Sequence, residues 1–297
     1  MIIQSFILYT SYLIFPFLAF LIYWNWKHRS TLKKKEICLV SLGILYLITG
    51  LFIYARFIER YQIKIQTTQI ETGFESKLIV ISDMHLGAYK DESFLKRVVE
   101  KVNQQENIDA VLIPGDFTNY PHQDLTDLFT PLQDLKFPTF AVLGNHDSEK
   151  PGPYLRDELK EVLESYGVIF LHNQSTQIPN TQIQVLGLGA HLASEDDLSL
   201  INQFKKEDDL IVLTHNPDST LAYQDDRADL TVTGHTHGGQ IRIPWLYNYI
   251  IPTHGDFDQG LYKLPAGGTL FITSGLGEVG LPMRLGIPPV IDILITK

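Results

Sequence analysis

Two textures divide the chain. Residues 2–26 carry no charge, and residues 37–54 form a second uncharged stretch. The first is long enough to cross a hydrocarbon core of roughly 30 Å, and the second sits at the short end of the spanning range. Trp24, Trp26, Tyr46 and Tyr54 lie in or near these runs, and aromatic rings favour the membrane interface. A signal peptide would begin with basic residues, whereas this chain begins Met-Ile-Ile-Gln. The pattern therefore predicts a two-helix transmembrane hairpin over residues 1–60. Residues 61–75 largely alternate polar with apolar positions, as a linker or first strand would, and residues 76–297 form the large domain.

In that domain, short runs rich in Val, Ile and Leu predict strands at 78–82, 110–114, 139–143, 210–214 and 230–233. Between several of them the apolar positions recur at helical spacing. Phe94, Leu95, Val98, Val99 and Val102 line one face, as do Leu155, Leu159, Val162 and Leu163. Strand–helix alternation predicts an α/β domain with a buried sheet. Residues 168–171 and 182–188 read as an antiparallel hairpin, and 269–274 and 290–295 as two late strands. There is no internal repeat.

Charge sharpens the division. Residues 1–60 hold seven Lys/Arg against Glu36 and Glu59, which leaves 17 basic and 32 acidic residues, a net −15, from residue 61 onward. Such a domain repels nucleic acid, and needs local cations to hold a phosphorylated substrate. The link between the apolar runs holds Lys27, Arg29, Lys33, Lys34 and Lys35, whereas Arg56, Arg60 and Lys64 follow the second. By the rule that the more basic loop stays cytoplasmic, the large domain is expected outside the cytoplasm, on a plasma-membrane anchor. The single cysteine, Cys38, excludes an intramolecular disulfide and a thiolate metal site.

Five of the strands run into polar residues. Residues 78–82 lead to Asp83 and His85, 110–114 to Asp116, 139–143 to Asn145, His146 and Asp147, 210–214 to His215, and 230–233 to His235 and His237. Ligands of open α/β sheets bind beyond the carboxyl ends of strands. Residues i and i+2 of an extended segment point the same way, so Asp83 with His85, and His235 with His237, can each converge. Alone, each is a turn residue or an ordinary histidine. Together they predict a site of nitrogen and oxygen ligands suited to Mn, Fe, Zn or Co. Their number exceeds one tetrahedral ion and fits two cations roughly 3.5–4 Å apart, bridged by a carboxylate.

The blocks SDMHLG, PGDFTN, LGNHDS, THNPD and GHTHGGQ, in this order over residues 83–237, resemble the calcineurin-like metallophosphoesterases. The phrase GGQIRIP and the tail GLGEVGLPMRLGIPPVI resemble their membrane-anchored bacterial branch. The resemblance implies a four-layer α/β/β/α sandwich and two divalent metal ions. It implies Asp83, His85 and His237 on one ion, Asn145, His215 and His235 on the other, and Asp116 between them. It also implies His146 beside the metals, donating to the phosphate or its leaving oxygen, with Asp147 orienting it.

The reaction so implied is hydrolysis of a phosphoester, chiefly a diester, on a phosphorylated small molecule or a lipid at the bilayer, with no obligatory protein partner. One narrower alternative is the UDP-2,3-diacylglucosamine pyrophosphatase of lipid A biosynthesis, whose substrate is a cytoplasmic-side metabolite, at odds with the charge-based topology. A rival of another class is a non-catalytic metal-binding membrane sensor or scaffold. Arg284, in the tail, is a candidate for a second phosphate or a surface ion pair. His191 and His254 read as loop residues without a ligand role. In residues 244–252, PWLYNYIIP, Trp245, Tyr247 and Tyr249 alternate with other residues and suggest either lipid contact or a buried loop.

Overall fold

The computed structural model describes residues 2–28, 35–148, 154–225 and 227–297. The basic link at Arg29, Lys33 and Lys34 lies outside the described residues. Helices α1 (Ile2–Thr10), α2 (Ile14–His28) and α3 (Lys35–Phe57) come first. A 3₁₀ turn, Ser11–Leu13, joins α1 to α2. Pro16 lacks an N–H for the Tyr12 carbonyl and crowds it, so the helix tightens there. Two segments, Ser5–His28 and Leu39–Tyr61, are long and apolar enough to cross a membrane. Their large apolar side chains, among them Phe6, Phe20, Trp26 and Leu47, are exposed. In water such a surface is costly.

The strands, in chain order, are β1 (Lys64–Ile70), β2 (Ser76–Val80), β3 (Leu86–Gly87), β4 (Ala110–Ile113), β5 (Thr118–Asn119), β6 (Thr139–Ala141) and β7 (Val168–Phe170). They continue with β8 (Gln174–Gln177), β9 (Gln184–Gly187), β10 (Leu210–Leu213), β11 (Leu230–Thr233), β12 (Gly260–Lys263), β13 (Thr269–Ile272) and β14 (Val290–Thr296). One six-stranded sheet has the order β1-β14-β2-β4-β6-β7 and the other β12-β13-β11-β10-β9-β8. In the first, β2, β4, β6 and β7 are parallel, with Leu78 opposite Ala110 and Val111 opposite Thr139. In the second, β9, β10, β11 and β13 are parallel.

Alternation within β2 builds two layers at once. Leu78 and Val80 turn inward with Leu112, Phe140, Ile211 and Val232 to fill the space between the sheets. Ile79 turns outward, with Ile81 just beyond the strand, against Phe94, Leu95 and Val98 of α4 (Glu92–Asn103) and Leu159 and Leu163 of α7 (Arg156–Ser165). Two short helices, α5 (Leu125–Phe129) and α6 (Asn145–Ser148), lie between them in the chain. Among the described residues, 3₁₀ turns at Leu198–Gln203 and Pro217–Ala222 lie beside the second sheet.

One pairing corrects the sequence reading. β7 lies parallel to β6 in the first sheet, and the antiparallel partner of β9 is β8. β8 reads QSTQ and is largely exposed at a sheet edge, so no apolar run announces it.

Candidate metal centre

The parallel strands bring their carboxyl ends to one edge of the sandwich, where the backbone leaves ordinary geometry. Asp83, His85, Asp116, His235 and His237 hold φ of +50°, +46°, +55°, +71° and +51°. Non-glycine residues rarely adopt this left-handed region, and each such residue costs on the order of 1–3 kcal/mol. The turns are also crowded. A Cβ at Gly144 would lie 2.0 Å from Asp116 Oδ1, and one at Gly234 would lie 2.2 Å from Asp83 Oδ2. Only glycine lets these carboxylates lie against the neighbouring strand end.

Two nests of donor atoms result. In one, His85 Nε2 is 3.1 Å from His237 Nε2 and 3.4 Å from Asp116 Oδ2, and Asp83 Oδ1 is 3.6 Å from His237 Nε2. In the other, His215 Nε2 lies 3.1 Å from Asn145 Oδ1, 3.2 Å from His235 Nδ1 and 3.2 Å from Asp116 Oδ2. Asp116 Oδ2 therefore belongs to both nests, while Asp116 Oδ1 accepts the His146 backbone N–H at 2.9 Å.

Backbone carbonyls settle which ring nitrogen each histidine presents. His215 donates Nδ1–H to Pro114 O at 2.7 Å, His85 donates Nδ1–H to Thr118 O at 3.3 Å, and His235 donates Nε2–H to Pro252 O at 3.1 Å. The other ring nitrogen of each, Nε2 of His85 and His215 and Nδ1 of His235, faces the nest. These partners are backbone oxygens, which no residue type announces, so sequence reasoning missed them.

The buried carboxylates make the place electrostatically demanding. Burial raises Asp83 to about 6. Burial would also raise Asp116, but His215, His146 and His85 together outweigh it and hold Asp116 well below the carboxylate range. Burial would lower His215, yet Asp116 lifts it to about 9. Burial depresses His85 to about 3 and His235 to about 4. The carboxylates call for positive charge, while His85 and His235 stay neutral, as metal ligands must be. Divalent cations of the Mn, Fe, Zn or Co kind fit this donor set. Three groups of these residues have the proximity to hold an ion: Asp83, His85 and His237; His85, Asp116 and His146; and Asp116, His215 and His235.

Two expected roles are corrected. Asp147 does not orient the His146 ring. Its carboxylate accepts from the backbone N–H groups of Phe117, Thr118 and Gly144 and from the Thr118 hydroxyl, fixing the loop after β4 to the loop after β6. Burial raises it to about 7. Arg284 is neither at a phosphate position nor in a surface ion pair. It is fully buried and donates to the carbonyls of Gly277, Ser274 and Ile287, with one nitrogen 3.5 Å from His237 Nδ1. Its role is to hold the tail behind His237.

His146 packs edge-on against His85, and its buried Nδ1 has no hydrogen-bond partner among the described residues. It lines a cavity of 820 Å³ together with Asp116, Asn145, His235 and His237. Much of the rest of its lining is apolar, with Leu192, Ile241, Ile250, Ile251, Val279 and Leu281. His254 also lines the cavity, with Nδ1 3.1 Å from Asp218 Oδ2.

Comparison with known proteins places this geometry. Residues 76–239 match the calcineurin-like phosphoesterases. The chain is 30% identical over 265 residues to the uncharacterized metallophosphoesterase YkuE of Bacillus subtilis, covering 82% of this chain and 89% of that protein. It is 29% identical over 226 residues to the phosphodiesterase YaeI of Escherichia coli, covering 73% and 81%. It is 32% identical to the uncharacterized metallophosphoesterase Cj0846 of Campylobacter jejuni over 74% of this chain, and spans 59% of that longer relative.

Proposed function

The chain belongs to the calcineurin-like phosphoesterase family, and from that membership we propose a dinuclear-metal hydrolase of phosphodiester bonds, tethered to a membrane and acting on a lipid-linked substrate. One observation carries the reading: a single oxygen, Asp116 Oδ2, faces both nests of donors. Asp83, His85 and His237 would hold one cation, Asn145, His215 and His235 the other, and Asp116 both. Two divalent cations there would supply positive charge for the phosphoryl oxygens and acidify the attacking water.

The protein's own groups do the rest. Pro114, Thr118 and Pro252 hold the imidazoles in one tautomer, so no reorganisation is needed when substrate arrives. His146, on the wall of the cavity, offers a hydrogen bond or proton to the leaving oxygen. The apolar wall excludes water and suits hydrocarbon, which supports the lipid-linked reading over a small soluble diester. The two apolar helices, with their side chains exposed, support the membrane tether. The UDP-2,3-diacylglucosamine pyrophosphatase reading demands the domain on the cytoplasmic face. Protease protection in sealed vesicles separates it from the extracytoplasmic reading.

The test uses the full-length chain in detergent, stripped of metal and then given Mn²⁺, with bis(p-nitrophenyl) phosphate and a series of lipid phosphodiesters. Manganese-dependent turnover is expected, with lipid diesters favoured, and Asp116→Asn should abolish it. In that variant either the amide nitrogen points into both nests or it opposes the His146 N–H. A folded, metal-loaded protein inert on every substrate would leave the sensor reading standing instead.

A further inference from the structure

The loop that covers the cavity has a second face. Residues 243–253 carry no charge. Within them Trp245 is 87% exposed, Tyr249 88% and Leu246 60%, and none of the three lines the cavity. The loop is held in place from below. Arg242 donates to Tyr247 Oη at 2.9 Å and lies 2.5 Å from Asp258 Oδ2. Tyr247 thus turns inward while Trp245 and Tyr249 turn out. Trp245 also sits at φ +67°, a conformation that bulky side chains avoid. Strain and exposed aromatic area fall on the same residue, and both are costs in water.

The position of the loop decides what covers it. Arg242 N donates to Leu285 O, and Ile241 bridges Leu285. The next residue, Arg284, donates its N–H to Ala55 O in the last turns of α3. The base of the loop is therefore two backbone contacts from the end of an apolar helix. Trp245 lies three positions after Arg242, a reach of at most about 11 Å. We propose that Trp245, Leu246 and Tyr249 dip into the interface of the same bilayer that holds the helices, so that the metal cavity opens at the level of the lipid headgroups. The proposal rests on the membrane reading of α1–α3. Aromatic residues with a polar edge suit that depth. The same loop supplies Ile250 and Ile251 to the cavity wall and Pro252 O to His235. A lipid whose phosphate reaches the metal nests then has its chains led back along the inner side of the loop without leaving the membrane.

The chain has three tryptophans, which makes the contact directly readable. Trp24→Phe/Trp26→Phe leaves Trp245 as sole reporter in the full-length protein. It is reconstituted in vesicles of phosphatidylcholine and phosphatidylglycerol whose chains are brominated either near the headgroup or near the chain end. The expected result is a blue-shifted Trp245 emission that loses most of its intensity to the shallow bromines, less to the deep ones, and resists aqueous iodide. Emission typical of water, quenched by iodide and untouched by bromine, overturns the proposal. A blue shift without bromine quenching that grows with protein density means a second copy covers the loop, and overturns it too. The companion variant, Trp24→Phe/Trp245→Phe, reports α2 through Trp26. If Trp26 is quenched and Trp245 is not, the loop proposal alone fails. If neither is quenched, the membrane reading fails and takes the proposal with it. No outcome depends on hydrolysis, so the phosphodiesterase reading stands or falls separately.

Discussion

Replacing Gly234 with alanine should empty one nest and spare the other. The added Cβ would lie 2.2 Å from Asp83 Oδ2 and 2.5 Å from Ser82 Oγ, where an ordinary contact needs at least 3.4 Å. The Asp83 carboxylate must therefore retreat by about 1 Å, several times the roughly 0.2 Å tolerance of a metal–ligand distance. Retreat also breaks the bond that His235 N donates to Asp83 Oδ1 at 3.0 Å. Loss of fit at one ligand is expected to weaken the Asp83–His85–His237 nest by about 100-fold, or about 2.7 kcal/mol. The Asn145–His215–His235 nest loses no donor atom, only the backbone bond from His235 N to Asp83, and keeps its affinity within a few-fold. Titration of the metal-stripped full-length protein with Mn²⁺, followed calorimetrically, should change from two comparable sites to one tight and one weak site. Turnover should recover at high Mn²⁺. Two unchanged sites in Gly234→Ala would refute the argument that this glycine exists to admit the Asp83 side chain.

Three further outcomes follow from the same structure. Mn²⁺ at about 100 times its dissociation constant should stabilise the fold by about 2.7 kcal/mol and chelation should reverse this, because cations offset five strained ligand residues and two buried carboxylates; an unchanged melting temperature would contradict it. His146→Ala should lower turnover by about 10²–10⁴-fold with unchanged Mn²⁺ content, and loss of metal in step with activity would make His146 a ligand instead. Asp292 is buried against Thr273 Oγ1 at 2.5 Å, and burial raises it to about 7. Its folded value exceeds the unfolded one near 4, so its contribution is complete at acid pH and fades as pH rises toward 7, by up to about 4 kcal/mol. Asp292→Asn should therefore melt above the parent near pH 8 and not near pH 5 in detergent, and equal differences at both would refute the assignment.

What could be read in advance depended on where the information lies. β4 and β10, reading AVLI and LIVL, are buried on both faces and carry no polar residue, and β2, β6 and β11 are nearly as buried with only Ser, Lys or Thr interspersed, so the polar residues that follow all five stand out. β8 has the composition of a loop, and β12 opens on Gly260, so neither edge strand carries an apolar signal. The tautomers of His85, His215 and His235 depend on backbone carbonyls from distant loops. Residue identity likewise misled at two positions. A carboxylate beside a histidine suggests a dyad, yet Asp147 meets three N–H groups first. An arginine in an acidic domain suggests phosphate, yet the tail folds three carbonyls around Arg284.

The junction near residue 60 shows why the apolar helices and the α/β sheets should be handled as one piece. Arg60 is fully buried, 2.9 Å from Glu278 Oε2, and donates to Pro282 O and Tyr89 O. Glu278 Oε1 lies 3.0 Å from Lys90 Nζ, and burial lowers Lys90 to about 7 despite that carboxylate. Glu278 thus stands between two buried cations, and it immediately precedes Val279 and Leu281 of the cavity wall. Deleting one partner of such a set leaves charge uncompensated in a low-dielectric place, at a cost of about 3–5 kcal/mol. Arg60→Ala in the full-length chain should show that loss by thermal unfolding in detergent, and should raise KM for lipid diesters more than it lowers kcat, because the wall moves while the nests stay. Arg60→Lys should recover part of the stability through a single contact to Glu278 but not the fork that also reaches Pro282 and Tyr89. A chain cut just after residue 60 should behave like Arg60→Ala. If Arg60→Ala melts with the parent and binds substrate equally well, α3 ends as a loose connection, and residues 61–297 can be studied without the helices.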